Sequence, residues 1–205
     1  MKVSENSIEE ILPGGIAHAG GISVINGNIA IADVQSVKAY NSQNGEEAWN
    51  YKNTFRVSPI GANTAISTFN DYLILTSWVD NNLKIMKPDT GEIVESLEGL
   101  NVPVSATKFG YGIAVALDGN GSITIFNFDG SPSKVLADGF EAPTHVINYE
   151  EGLLVSDRGR GELVKIDPDG TKTIIVDGLD SPEGIAVQGN SIFVFEGNTG
   201  EIKEI

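Results

Sequence analysis

Carboxylates, histidines and arginines recur at two kinds of position in this 205-residue chain, just after apolar runs and just before them. Carboxylate and amide oxygens, with an occasional imidazole, are the ligands that Ca²⁺ and Mg²⁺ favour. A bound cation would polarise a substrate carbonyl, and a nearby histidine or carboxylate could transfer a proton. We expect metal ligation from Asp33, Asp157, Glu183 and Glu196, catalysis from His145 and Glu183, and ligand binding from His18, Asn63, Trp78, Arg158 and Arg160.

Each of these residues also has a purely structural interpretation. An aspartate at a strand end, such as Asp33 or Asp157, commonly caps a turn with its side chain. Glu183 lies in a connection and could simply be solvated. A loop histidine often makes a single backbone hydrogen bond, and Arg158 and Arg160 could pair with neighbouring acids. The sequence leaves both interpretations open at every position.

A repeat of about 40 residues determines where these side chains lie. Its matched apolar or small residues are 44, 40, 40 and 39 positions apart, at Ile22, Ile66, Ala106, Val146 and Ile185. Each unit continues with a short apolar segment, and the first four then have an Asn/Asp/Gly-rich turn and a further apolar segment. Such turns between alternating hydrophobic residues are typical of β-hairpins. Four short strands per repeat, without helical periodicity, predict an all-β chain: a β-propeller of five four-stranded blades.

The fifth repeat stops at Ile205, after its third strand. The N-terminal stretch SIEEILPGGIAHAGGISV aligns with KTIIVDGLDSPEGIAV, which contains a fourth strand. Counted from Ile185 through both chain ends to Ile22, the spacing is 42 residues, within the observed range. An N-terminal strand that joins the C-terminal blade would remove free sheet edges. We therefore expect one domain, 1–205, with blades at about 20–60, 61–101, 102–141, 142–180, and 181–205 plus 1–16; the alternative is part of a six- or seven-bladed propeller.

Blade geometry gathers the candidate residues on one face. The first strand of a blade lines the central channel, so the connection before it and the loop after the second strand lie at the same end of that channel. The connections carry His18, Asn63, His145 and Glu183, whereas the ends of the second strands and the loops after them carry Asp33, Trp78, Asp157, Arg158, Arg160 and Glu196.

The last two repeats, HVINYEEGLLVSDRGRGELVKIDPDGT and PEGIAVQGNSIFVFEGNTGEIKEI, resemble those of the SMP-30/gluconolactonase-like, NHL and streptogramin-lyase group of propellers. The SMP-30-like lactonases hold a metal with a Glu, an Asn in a PNGI motif and an Asp. That resemblance places Glu183 of SPEGIAV at the Asn position and leaves Asn63 as a substitute. The streptogramin-lyase-like site consists of a Glu, a His two residues later and a Glu at the next strand end. Glu183 and Glu196 match the acids, but Ile185 stands at the His position and His145 lies in the neighbouring blade.

The stretch VKAYNSQNGEEAWNYKN resembles instead a blade of the quinoprotein-like propellers, in which a Trp after the turn docks one blade on the next. Trp49 has that place here. Because the chain has no cysteine pair and only one such blade, we expect no PQQ cofactor.

The composition excludes several classes of partner and chemistry. Thirteen basic against 28 acidic residues give a formal charge of −15, which disfavours nucleic acid and anionic membranes. The absence of cysteine excludes disulfides, thiolate zinc sites and a cysteine nucleophile. No apolar run is long enough to cross a bilayer, and no signal peptide is visible in this chain, so we expect a soluble protein of unknown compartment and oligomeric state.

Three classes of function fit these observations. The first is a binding or interaction module of the NHL/SMP-30-like type, with a small-molecule or Ca²⁺/Mg²⁺ site on the channel face and a small molecule or protein as partner. The second is a divalent-metal-dependent hydrolase or lyase that acts on a lactone-like molecule. The third is one domain of a larger protein. An enzyme should hold a metal ion over the channel mouth, whereas a binding propeller should expose aromatic or charged groups around Trp78 and Arg158.

Overall fold

A computed structural model describes residues 2–4, 7–9, 16, 20–33, 36–52 and 64–205. Apart from one 3₁₀ turn at Asp118–Asn120, the regular structure of these residues is antiparallel β-sheet. The five predicted blades are present as five separate sheets. The prediction of an all-β, five-bladed β-propeller is therefore confirmed.

The strands follow one another in the same order in every blade. An N-terminal hairpin comes first, with β1 (Lys2–Ser4) and β2 (Ser7–Glu9). Blade 1 has β3 (Gly21–Ile25), β4 (Asn28–Asp33), β5 (Ser36–Asn41) and β6 (Glu47–Lys52). Blade 2 has β7 (Thr64–Phe69), β8 (Tyr72–Ser77), β9 (Asn82–Met86) and β10 (Ile93–Glu98). Blade 3 has β11 (Pro103–Phe109), β12 (Gly112–Leu117), β13 (Ser122–Phe126) and β14 (Pro132–Ala137). Blade 4 has β15 (Pro143–Tyr149), β16 (Gly152–Asp157), β17 (Glu162–Ile166) and β18 (Lys172–Val176), and blade 5 has β19 (Pro182–Gln188), β20 (Ser191–Glu196) and β21 (Glu201–Glu204).

The predicted closure of the fifth blade concerns the N-terminal segment. Its described residues Ser7–Glu9 pair with β1, with Val3 opposite Ile8. Blade 5 has three strands among the described residues. Residues 10–15 and 17–19, which would continue the closing strand, lie outside the described residues. Closure of this blade by the N-terminal strand stays a prediction.

Local sequence explains why the strands turn where they do. Between β3 and β4, Asn26 and Gly27 both have positive φ, 50° and 74°. This is the geometry of a two-residue hairpin turn, which Asn-Gly adopts at low cost. The second strand of blade 3, β12 (GIAVAL), is a continuous apolar run because it is covered on both faces, and every one of its residues is buried.

The hydrophobic core of the described residues is divided into four clusters, one at each junction between successive blades along the chain. At the junction of blades 3 and 4, for example, Val146 of β15 packs with Ala116 and Ile123. The innermost strands of neighbouring blades lie side by side, from β3 through β7, β11 and β15 to β19. They surround a central channel. No helix in the described part of the chain is long and apolar enough to span a membrane.

Candidate functional site

A cavity of about 630 Å³ occupies the end of the channel at which the innermost strands begin. All five blades contribute to its wall. This wall includes apolar side chains from several blades together with four ionisable side chains. The lining residues are Gly20, Gly21, Ile22, Ala65, Ile66, Trp78, Val102, Val104, Asp118, Thr144, His145, Arg158, Glu183, Gly184 and Phe195. Four of the predicted site residues are therefore together here: Trp78, His145, Arg158 and Glu183.

His145 lies in the innermost strand of blade 4 and is bound to blade 5. Its Nδ1 accepts a hydrogen bond of 2.9 Å from the backbone N–H of Ile185. The ring is therefore neutral, with its proton on Nε2. Burial lowers the pKa of His145 to about 4, because the charged ring would lose its hydration. His145 thus presents the cavity with a neutral imidazole.

The link that His145 makes has a counterpart one blade earlier. Ser105 has the same register position, since Ser105 pairs with Ala116 as His145 pairs with Ser156. The Oγ of Ser105 accepts a hydrogen bond of 3.2 Å from the backbone N–H of Val146. Joining two blades is therefore part of the role of His145, alongside its place in the cavity wall.

Glu183 enters the cavity from the start of β19. Its backbone carbonyl accepts a hydrogen bond of 2.6 Å from Ser156 Oγ of blade 4, which fixes the main chain. Its side chain lies against Gly197, where an added Cβ would come within 2.6 Å of Oε1. Thr144 also ties this strand to blade 4, because its Oγ1 donates a 2.9 Å hydrogen bond to the carbonyl of Pro182. The Glu183 carboxylate is thus held on a fixed backbone at the cavity wall.

Trp78 and Arg158 follow the second strands of blades 2 and 4, as predicted, and both line the cavity. The backbone N–H of Arg158 donates a 2.9 Å hydrogen bond to the carbonyl of Ala142, while its side chain is exposed. The Nε1 of Trp78 is buried and has no hydrogen-bond partner within the described structure. Arg160 differs from Arg158: it lies outside the cavity wall, with Nε 3.8 Å from Oδ2 of Asp157.

The acids at the ends of the second strands of blades 1, 4 and 5 are buried, and Asp157 of blade 4 binds the backbone of a loop. Asp157 accepts hydrogen bonds from the backbone N–H groups of Glu141 (3.0 Å) and Ala142 (2.9 Å). Asp33 lies 3.8 Å from Lys38 Nζ, measured from Oδ2. These side chains are not part of the cavity wall.

Glu196 has the same role in blade 5. Its Oε1 accepts hydrogen bonds from the backbone N–H of Asp180 (2.7 Å) and from Lys203 Nζ (2.8 Å). Lys203 and the Asp180 N–H hold the pKa of the Glu196 carboxyl below its ordinary value. This carboxylate is thus ionised, and it too lies outside the cavity wall.

The residues that the structure describes offer no group of three or more His, Cys, Asp or Glu side chains close enough to hold a metal ion. They do not fit the metal that the family resemblance implies, and we derive no step through one. His18 and Asn63, which were expected to contribute, lie outside the described residues. Binding of Ca²⁺ or Mg²⁺ stays a prediction from the sequence.

Among the lining residues that were not predicted as site residues, three have polar or aromatic side chains: Asp118, Thr144 and Phe195. Asp118 follows the second strand of blade 3, so its position in the repeat matches that of Trp78 and Arg158. That equivalence was a usable signal. Phe195 pairs with Ile202, in the place where blade 4 has Ser156 opposite Leu163. An aromatic residue at a position otherwise small or polar was the signal for it.

Comparison with known proteins supports the fold. No family model matches the chain, and no curated protein matches it. Among solved structures it is similar to virginiamycin B lyase from Staphylococcus aureus, a catalytically inactive variant with quinupristin (18% identity, TM-score 0.64), over 90% of this chain and 68% of that one. It is also similar to a streptogramin B lyase (18% identity, TM-score 0.66), over 96% of this chain and 72% of that one. A third is the computationally designed Ika8 protein (12% identity, TM-score 0.66), over 95% and 63%.

These similarities confirm the resemblance to streptogramin-lyase-like β-propellers at the level of the fold. The chain spans 63–72% of the length of those three proteins. At 12–18% identity the similarity concerns the blade architecture, and what the chain binds must be argued from its own cavity.

Proposed function

We propose that this chain is a ligand-binding β-propeller whose channel cavity takes a small organic molecule with an apolar body and one polar group. The observation that carries the proposal is the cavity of about 630 Å³ with contributions from all five blades. Its volume lies within the range of roughly 300–1,000 Å³ that is usual for small-molecule sites.

The wall of the cavity matches such a ligand. Ile22, Ile66, Val104 and Phe195 supply apolar surface on several blades, and Trp78 adds an aromatic ring. Apolar walls with a few polar groups are typical of sites that orient a small ligand.

The charged side chains of the wall determine which polar groups of a ligand the cavity can bind. Arg158 is the one cationic side chain among the lining residues that the structure describes, and it faces solvent. Glu183 and Asp118 are the acids of the same wall. An anionic or hydrogen-bond-accepting group would bind at Arg158, whereas a cationic group would bind at Glu183.

The state of His145 favours binding over acid–base catalysis. A group whose pKa is about 4 is uncharged at neutral pH and is a weak base there. Its Nδ1 is already occupied by Ile185 N–H, so only the Nε2–H remains for a ligand. His145 is suited to donate a hydrogen bond to a bound molecule.

A hydrolase or lyase acting on a lactone-like molecule is the second candidate, because His145 and Glu183 line the same cavity. It makes a different prediction. Incubation with a macrocyclic lactone and Ca²⁺ or Mg²⁺ should then give a ring-opened product, heavier by one water for a hydrolase and isomeric with the substrate for a lyase. Liquid chromatography separates this product and mass spectrometry of its fragments identifies it, and His145→Ala should stop its formation.

Three naphthalene probes test the binding proposal: 1-naphthoate, 1-naphthalenemethanol and 1-naphthylmethylamine. They share the apolar body and differ in charge. We expect saturable binding of the naphthoate by isothermal titration calorimetry, and about a tenfold or greater loss in Arg158→Ala, the magnitude of one charge-assisted hydrogen bond.

The matched control is Arg160→Ala, which removes an arginine two residues away that does not line the cavity. Glu183→Gln should instead weaken any binding of the amine. If none of the three probes binds, or if Arg158→Ala and Arg160→Ala weaken binding equally, the cavity is not the binding site.

A further inference from the structure

The four junctions inside the molecule share one construction. The matched residue at the centre of each innermost strand packs into the face of the preceding blade: Ile66, Ala106, Val146 and Ile185 are all at most 8% exposed. The register makes them equivalent, since each pairs with an apolar residue in the middle of its second strand. We call this residue the anchor of its blade.

The surface that receives each anchor is also the same. It includes a cross-strand pair formed by the second and third strands of the preceding blade. These pairs are Ala32–Val37, Thr76–Leu83, Ala116–Ile123 and Ser156–Leu163, and all eight residues are buried. Ile66 shares a core cluster with both members of the first pair, and Val146 with both members of the third. We call this pair the receiving pair.

Each end of the five-blade array has one half of a junction. Ile22 of blade 1 is an anchor by register, opposite Ile31, yet it is 64% exposed. Phe195 and Ile202 of blade 5 form a receiving pair, yet they are 38% and 69% exposed. Among the described residues, the Ile22 anchor therefore has no receiving pair and the Phe195–Ile202 receiving pair has no anchor.

We propose that a second copy of this chain covers these surfaces, with the Ile22 anchor of one copy on the Phe195–Ile202 receiving pair of the next. The contact continues the interface that already joins the blades within the chain. It buries two isoleucines and a phenylalanine that water contacts in the single copy, and removal of apolar surface from water is the main driving force for association.

The competing possibility is that the two surfaces of one copy cover each other, so that the copy closes on itself. Ile22 and Phe195 both line the channel cavity, so the two ends face the same space, and both nevertheless remain exposed. The exposure of both surfaces within one copy favours an intermolecular contact.

The proposed contact is head-to-tail, because the two surfaces differ. Such an interface continues to further copies unless the arrangement closes into a ring. The formal charge of −15 opposes association, so salt should strengthen it by screening the repulsion. In sedimentation velocity experiments on the 205-residue chain, we expect the average molecular mass of the species in solution to rise with protein concentration and with added salt.

Disulfide cross-linking tests the geometry, because the chain has no cysteine of its own. Ile22→Cys and Ile202→Cys are each made alone. After oxidation, an equimolar mixture should give a covalent heterodimer, and neither variant alone should give as much. The control pair is Val135→Cys with Ile174→Cys, two residues of similar exposure on β14 and β18, which should not cross-link.

The double variant with cysteines at both positions distinguishes contact between copies from self-closure of one copy. Disulfide-linked multimers support the head-to-tail contact. A disulfide within one chain would show self-closure and would overturn the proposal. A monomer at all concentrations, with both thiols free after oxidation, would overturn it as well. Ile22→Asp should abolish the concentration-dependent mass, whereas Val135→Asp should leave it unchanged.

Discussion

The indole of Trp49 lies against the backbone of Gly91 across the junction between the first two blades. Trp49 Nε1 donates a hydrogen bond of 2.5 Å to the carbonyl of Pro88, which fixes the ring in place. A Cβ on Gly91 would lie 2.7 Å from Cε3 of that ring. Trp49, in the outermost strand of blade 1, thus packs on the turn between β9 and β10 of blade 2. The docking role expected of Trp49 is confirmed.

Gly91→Ala should destabilise the protein more than Gly99→Ala. Both glycines have positive φ, 71° and 72°, so both alanines carry the same backbone strain, roughly 1–2 kcal/mol. Only Gly91 faces a ring, whereas Gly99 faces open space. We expect Gly91→Ala to lose about 1–3 kcal/mol more in urea unfolding, the usual cost of overpacking.

A Trp49→Ala background provides the control for this comparison. Without the ring, the two alanine substitutions should cost nearly the same free energy of unfolding. Equal losses in the wild-type background would mean that the Trp49 ring moves aside freely and does not constrain the turn.

Sequence predicted the blades well because every blade must satisfy the same local requirements. Residues such as Ile66 and Val146 recur at one spacing, since each must fill the face of its neighbour. Trp78, Arg158 and Glu183 could be placed on the channel face because the repeat specifies which loops lie at that end.

The pattern could not show which atoms a buried side chain meets. Asp157 receives two backbone N–H groups from a loop about 15 residues earlier, a contact that depends on the loop path and leaves no signal in spacing. The sequence pattern also could not show that a residue buried in one blade is exposed at the equivalent position of another blade. Ile22 and Ile66 have the same place in the repeat, yet Ile66 packs against blade 1 and is buried, whereas Ile22 is exposed.

His145 should make the stability of the protein depend on pH in mildly acidic solution. Its pKa is about 4 in the folded protein and 6.5 ordinarily. Between these values the unfolded chain takes up a proton that the folded protein does not. The contribution of the neutral ring is therefore fully present above about pH 6.5 and is lost as the pH falls towards 4, amounting to about 3 kcal/mol.

His145→Asn is the matched variant, because its side-chain oxygen can accept the Ile185 N–H bond without titrating. Urea unfolding from pH 7 down to about pH 4 should show a shallower loss of stability in this variant than in the parent. Parallel curves for the two proteins would mean that His145 titrates normally and is not buried in solution.

Divalent cations test the remaining prediction about metal. The sequence predicts that Ca²⁺ or Mg²⁺ raises the melting temperature and that Glu183→Ala abolishes the rise, since binding to the folded state alone stabilises it. Glu201→Ala, an exposed acid of β21, serves as the control for loss of charge. A melting temperature that does not respond to EDTA or to either cation would exclude a tightly held metal ion.

The two buried acids Asp157 and Glu196 should respond differently to conversion into amides. In Asp157→Asn, one of the two backbone N–H groups that now meet a carboxylate oxygen would meet an amide NH₂. A buried donor left without an acceptor costs about 1–3 kcal/mol.

In Glu196→Gln, the remaining oxygen can still accept from both Asp180 N–H and Lys203, and the new NH₂ can donate to Thr199 Oγ1. We therefore expect a clearly lower urea midpoint for Asp157→Asn than for Glu196→Gln. The reverse order would show that the charge on Glu196, and not the supply of acceptors to the loop backbone, is what these acids contribute.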